Sequence, residues 1–72
     1  MIHEKGRKLI ADLERIGAVF EWEESKDNAG SPEIIPATPL DRSIIMTYLD
    51  EKTAEDEHAY SLMVGSGGIV AK

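Results

Sequence analysis

Leu9-Ile10-Ala11-Asp12-Leu13-Glu14-Arg15-Ile16-Gly17-Ala18-Val19-Phe20-Glu21-Trp22-Glu23-Glu24 changes its hydrophobic period halfway along. Leu9, Ile10, Leu13 and Ile16 recur at helical spacing, while Ala11, Asp12, Glu14 and Arg15 turn away from that face. Upstream, Glu4 and Lys8 form an i,i+4 pair in the favourable order, worth about 0.3 kcal/mol. Gly17 follows the last periodic residue, where a left-handed cap favours a residue without Cβ. This spacing predicts a helix over 4–16. From Ala18 the period becomes two: Ala18, Phe20 and Trp22 point one way, Glu21 and Glu23 the other. A half-buried strand over 18–24 follows.

Downstream the pattern weakens. Residues 25–42 hold Asn28-Ala29-Gly30-Ser31-Pro32, then Pro36 and Pro39, and have no usable period. Prolines remove backbone donors and bias their predecessors away from helix. This stretch reads as one long loop, with Ile34 and Ile35 as a short extended piece. Long loops in small domains often carry function, so the loop is a candidate partner contact.

Ser43-Ile44-Ile45-Met46-Thr47-Tyr48-Leu49 is rich in β-branched and aromatic residues, which favours a strand over 43–49. Leu40, Ile44, Ile45, Tyr48 and Leu49 would equally line one helix face. In His58-Ala59-Tyr60-Ser61-Leu62-Met63-Val64, the residues Tyr60, Leu62 and Val64 alternate, giving a strand over 58–64. The two short apolar runs bracket a charged segment as hairpin strands bracket a solvated loop. The Trp22 strand also needs partners for its backbone. Residues 65–72, with Ser66-Gly67-Gly68, read as a flexible tail. The expectation is one α+β domain over 1–72: an N-terminal helix on a three-stranded, mostly antiparallel sheet. A small three-helix domain is the alternative.

Size and charge bound the function. A chain of 72 residues forms one domain, and such a chain buries only roughly 60% of the surface its unfolded form exposes. It has no Cys, which excludes thiol nucleophiles, CxxC metal ribbons and disulfides, and fits a reducing, cytoplasmic setting. No apolar run approaches the ~20 residues of a membrane span. The net charge of −6 sits in two segments. One holds Glu21, Glu23, Glu24 and Asp27 against Lys26; the other holds Asp50, Glu51, Glu55, Asp56 and Glu57 against Lys52. Such a surface repels phosphate backbones and anionic membranes and attracts a basic partner.

Chemistry-bearing motifs are weak. His3 and His58 are the only imidazoles and lack the i,i+4 pairing that presets metal ligands. Acid/base work on glycosides needs two carboxylates flanking a cleft, and so small a domain has little room for one. The serines lack a GxSxG context, and Val64-Gly65-Ser66-Gly67-Gly68 is not a phosphate loop, because no GK[ST] follows to open a helix. The expectation is therefore a protein without catalytic residues, metal or cofactor. The candidate partner-binding residues are Trp22, Glu23, Glu24, Ile34, Ile35, Asp50, Glu51, Glu55, Asp56 and Glu57.

The run Gly6-Arg7-Lys8-Leu9-Ile10-Ala11-Asp12-Leu13-Glu14-Arg15-Ile16-Gly17-Ala18-Val19 resembles the start of the N subunit of the photosynthetic NDH complex, where a similar helix passes through a Gly-Ala step into a strand. The resemblance covers about a fifth of the chain. Residues 26–72 do not follow that family, and no functional residue is carried over.

The expected role is an accessory subunit, adaptor or regulator that binds a protein with a basic patch. An acidic mimic of nucleic acid that inhibits a basic protein is a second reading. A small metal-dependent enzyme using His3 or His58 is a third. An open sheet edge also admits homo-oligomers.

Overall fold

Gly17 ends the first helix as its position suggests. Its φ is +90°, Ala18 N–H donates to the Leu13 carbonyl and Gly17 N–H to the Glu14 carbonyl, each at 3.1 Å. This pair of bonds is a Schellman cap, which satisfies carbonyls that the helix end leaves open. The computed structural model describes residues 1–56, 59–60, 62–64 and 68–71. Its elements are α1 (Glu4–Arg15), β1 (Phe20–Glu24), β2 (Pro32–Pro36), α2 (Pro39–Glu55), β3 (Leu62–Val64) and β4 (Ile69–Ala71). The strands form one sheet in the order β1-β2-β4-β3, with every neighbouring pair antiparallel. The fold is α+β.

Three local expectations are corrected. Residues 43–49 are not a strand but the middle of α2. Thr38 caps that helix: its hydroxyl accepts the Asp41 N–H at 3.2 Å, and Pro39 opens it with a pre-set φ. Ile45, Tyr48 and Leu49 then share one buried face. The acidic segment that begins at Asp50 is accordingly the last turns of α2 as far as Glu55, not a hairpin loop.

The long loop over 25–42 is also interrupted by β2. Its five residues pair with all of β1, from Phe20↔Pro36 to Glu24↔Pro32. Ser25 N–H donates to the Ser31 carbonyl and Ala37 N–H to that of Val19. Backbone groups of antiparallel strands alternate sides. The amides of Glu33 and Ile35 therefore face β1, and the donorless nitrogens of Pro32 and Pro36 face the other way. There the β4 ladder is short, with Glu33↔Val70 and Ile34↔Ile69 as its register pairs. Both prolines thus sit where no β1 bond needs their N–H.

The tail expected over 65–72 contains β4, which lies between β2 and β3 and is buried along its length. Burial of Ile69, Val70 and Ala71 is what orders it. Of the strand expected over 58–64, β3 covers 62–64; Glu57, His58, Ser61 and Ser66 lie outside the described residues.

The core joins Leu9, Ile10 and Leu13 of α1 to Ile45, Tyr48 and Leu49 of α2, over Ile34 of β2 and Ile69 and Ala71 of β4. Both helices therefore cover the same sheet face. The opposite face carries Glu21 and Glu23 of β1 and Glu33 and Ile35 of β2, by strand alternation.

Candidate interaction surface

Two parts of the molecule receive the sequence-derived candidates. Trp22, Glu23, Glu24, Ile34 and Ile35 come together on the β1–β2 hairpin. Ile34 is fully buried and belongs to the core, so its role is packing rather than contact. Ile35 is half-buried on the open face. Trp22 shares the helix-covered side with Ile34, its register partner, yet is 46% exposed because β1 lies at the sheet margin. Glu21, Glu23 and Glu24 are exposed. Glu23 stands directly opposite Glu33, a like-charge pair that costs some stability. Glu23, Glu24, Asp27 and Glu33 with Ser25 and Lys26 line a hollow of about 210 Å³. The ammonium group of Met1 bonds Glu24 and holds that carboxyl below its usual range.

Asp50, Glu51, Glu55 and Asp56 occupy the C-terminal part of α2 and the residue that follows it, all exposed. Lys52 approaches Glu55 at 3.6 Å and lies 5.6 Å from the Tyr48 ring centre. Partly solvated pairs of this kind contribute little. Glu57, the last candidate of this segment, lies outside the described residues.

A groove that the sequence reasoning missed runs beside the helix pair. Ile16, Leu40, Ser43, Ile44, Thr47, Tyr48 and Glu51 line its space of about 360 Å³. Leu40 is 71% exposed and Ile16 40%. Val19, 61% exposed, lies close to the start of α2, since its N–H donates to Asp41 Oδ1 at 3.1 Å. The available signal was Leu40, Ile44, Thr47 and Glu51 at helical spacing, a stripe beside the one that enters the core. Reading 43–49 as a strand hid it.

The charged groups with displaced titration have structural causes. Asp41 is held below the carboxylate range by the Thr38 hydroxyl first and then by the Val19 amide. Burial pushes the Tyr48 phenol up, and the bond it donates to Asp12 adds to the shift. Tyr60 is raised chiefly by burial, and Lys5 Nζ sits 4.9 Å from its ring centre.

His3 stands at the mouth of α1, where its N–H donates to the Gly30 carbonyl at 2.8 Å. Among the described residues no group of His, Asp and Glu has the arrangement of a metal site. Among the same residues no helix is long and apolar enough to cross a membrane.

No family model, no curated protein and no solved structure matches this chain.

Proposed function

We propose that this chain is a small, non-catalytic interaction protein, an accessory subunit, adaptor or regulator that binds a protein partner carrying a basic patch. The observation that carries the reading is the exposed apolar groove of Ile16, Leu40 and Ile44 ending at Glu51, with Asp50 beside it on the helix. Interfaces combine an apolar centre that supplies affinity with a charged rim that sets encounter rate and partner choice. Leu40, 71% exposed, belongs neither to the core nor to the half-buried residues packed against it. The absence of cysteine fits a reducing compartment, so the proposal places the encounter in the cytoplasm.

Affinity capture from native lysate tests this, with wild-type protein, Leu40→Glu and the charge reversal Asp50→Lys/Glu51→Lys run in parallel. Leu40→Glu should remove a captured protein. The charge reversal should slow its association and flatten the salt dependence of the rate. A partner retained unchanged by all three proteins defeats the reading.

A further inference from the structure

The outer side of β1 has no strand beside it among the described residues. The order β1-β2-β4-β3 makes β1 a sheet margin. Glu21 and Glu23 spend their backbone groups on β2, so alternation turns the N–H and C=O groups of Phe20, Trp22 and Glu24 outward. An uncovered row of this kind is a template for one more strand.

We propose that this edge accepts an extended basic segment of a partner protein as a fifth strand, with Lys or Arg at alternate positions. The inference rests on the reading of the chain as an interaction protein and assigns it a second surface and a partner chemistry. Charge decides the occupant. β1 and β2 contain Glu21, Glu23, Glu24 and Glu33 and no Lys or Arg. Glu21 and Glu23 both project to the open face, one residue apart, so an added strand meets them with every second side chain. Glu33 lies directly across from Glu23 and doubles the negative charge there. The intervening position of the added strand falls beside half-exposed Trp22 and suits an apolar residue.

A second copy of this chain fits poorly. Antiparallel self-pairing centred on Trp22 would place each Glu21 opposite the other copy's Glu23. Directly opposed like charges destabilise a strand pair. The carboxylates that keep the edge from pairing with itself are those that a basic strand neutralises.

The test uses a synthetic end-capped peptide alternating Lys and Val. Its controls are a peptide of the same composition with the Lys residues in one block, and an alternating Glu–Val peptide. Trp22 is the only tryptophan, so its emission reports the edge directly. The alternating Lys–Val peptide should shift Trp22 emission to shorter wavelength and slow amide exchange of Phe20, Trp22 and Glu24 about tenfold at saturation. The double variant Glu21→Lys/Glu23→Lys should weaken its binding about tenfold, the sum of two cross-strand charge pairs. Both sites are exposed, and the milder Glu21→Gln/Glu23→Gln should fall between. Unchanged exchange of those amides overturns the assignment, as does equal binding of the block peptide with the same exchange pattern. A wild-type dimer in sedimentation whose formation slows exchange of the same three amides overturns the choice of occupant. Failure here with partner capture through Leu40 intact removes the edge alone; loss of that capture dependence removes the broader reading.

Discussion

The Tyr48 hydroxyl donates to Asp12 Oδ2 at 2.7 Å and ties the middle of α2 to the last turn of α1. Asp12 also meets Arg15 at 2.9 Å through its other oxygen. The tyrosine is buried, and the carboxylate keeps some contact with water. One side chain thus closes a polar contact beside an apolar core without leaving the acid unpaired.

Replacing Tyr48 by Phe keeps the ring and removes the donor. We expect a loss of about 1 kcal/mol, since a net hydrogen bond of this kind is worth roughly that much. Urea unfolding should show a lower midpoint with unchanged slope. A changed slope would indicate a different native or denatured state.

The same contact gives an alkaline dependence. The folded-state pKa values of Tyr48 and Tyr60 are raised, chiefly by burial. Their contribution is fully present below the unfolded value of about 10 and declines as pH rises above it. Stability measured across that range should fall, and the fall should be smaller in Tyr48→Phe.

Acid should weaken the start of α2. The Asp41 carboxylate accepts from the Thr38 hydroxyl at 2.6 Å and from the Val19 amide at 3.1 Å, and its pKa is lowered. A lowered carboxylate pKa contributes stability above the unfolded value near 4, lost as pH falls through the folded one. Glu24, also lowered, acts in the same direction. Asp41→Asn should reduce the acid dependence of the unfolding midpoint. Thr38→Ala removes the cap and should cost about 1 kcal/mol.

Two glycines should respond to alanine for different reasons. At Gly17, φ is +90° and a Cβ would meet nothing within 4 Å. Its cost is conformational, about 1–2 kcal/mol. At Gly6 a Cβ would lie 2.7 Å from Ile2 Cγ2 and 2.8 Å from Pro32 Cδ. The helix-propensity gain of about 1 kcal/mol cannot offset overlap with a rigid proline ring, so Gly6→Ala should also destabilise. A more stable Gly6→Ala protein would contradict the packing of α1 on β2.

Leu49 is fully buried in a thin core. Leu49→Ala should cost about 2–5 kcal/mol, comparable to the whole of what a core this small supplies. Circular dichroism should show a largely unfolded chain. Leu40→Ser, on the groove, should change stability by no more than about 0.5 kcal/mol.

The candidate surface was partly legible in the residues. Alternation placed Glu21 and Glu23 on one side of a strand and Trp22 on the other, and the register with β2 agrees. The exposure of Trp22 could not be read, because it depends on β1 having no outer neighbour among the described residues. Ile34 resembles Ile35 in the sequence, yet one is core and the other half-buried. Strand parity separates them, and parity is defined only once β2 exists. Leu40 and Ile44 were visible as part of a helical stripe, but once Ile45, Tyr48 and Leu49 took the inner face Ile44 packed only against the margin of the core and Leu40 stayed exposed.

Local chemistry alone determined α1, its Gly17 cap, the turn into β1 and the acidic character of β1 and of the last turns of α2. Those features depend on neighbours a few residues away, which the order of residues states outright. Tertiary structure decided the rest. The segment 43–49 satisfies both a strand and a helix locally, and the helix wins because Ile45, Tyr48 and Leu49 can seat together over Ile34 and Ile69. Ile69-Val70-Ala71 is too short to show a period and becomes an inner strand only by pairing with β2, about 35 residues earlier. Which edge stays open follows from that pairing, because a strand's exposure belongs to its neighbours in space.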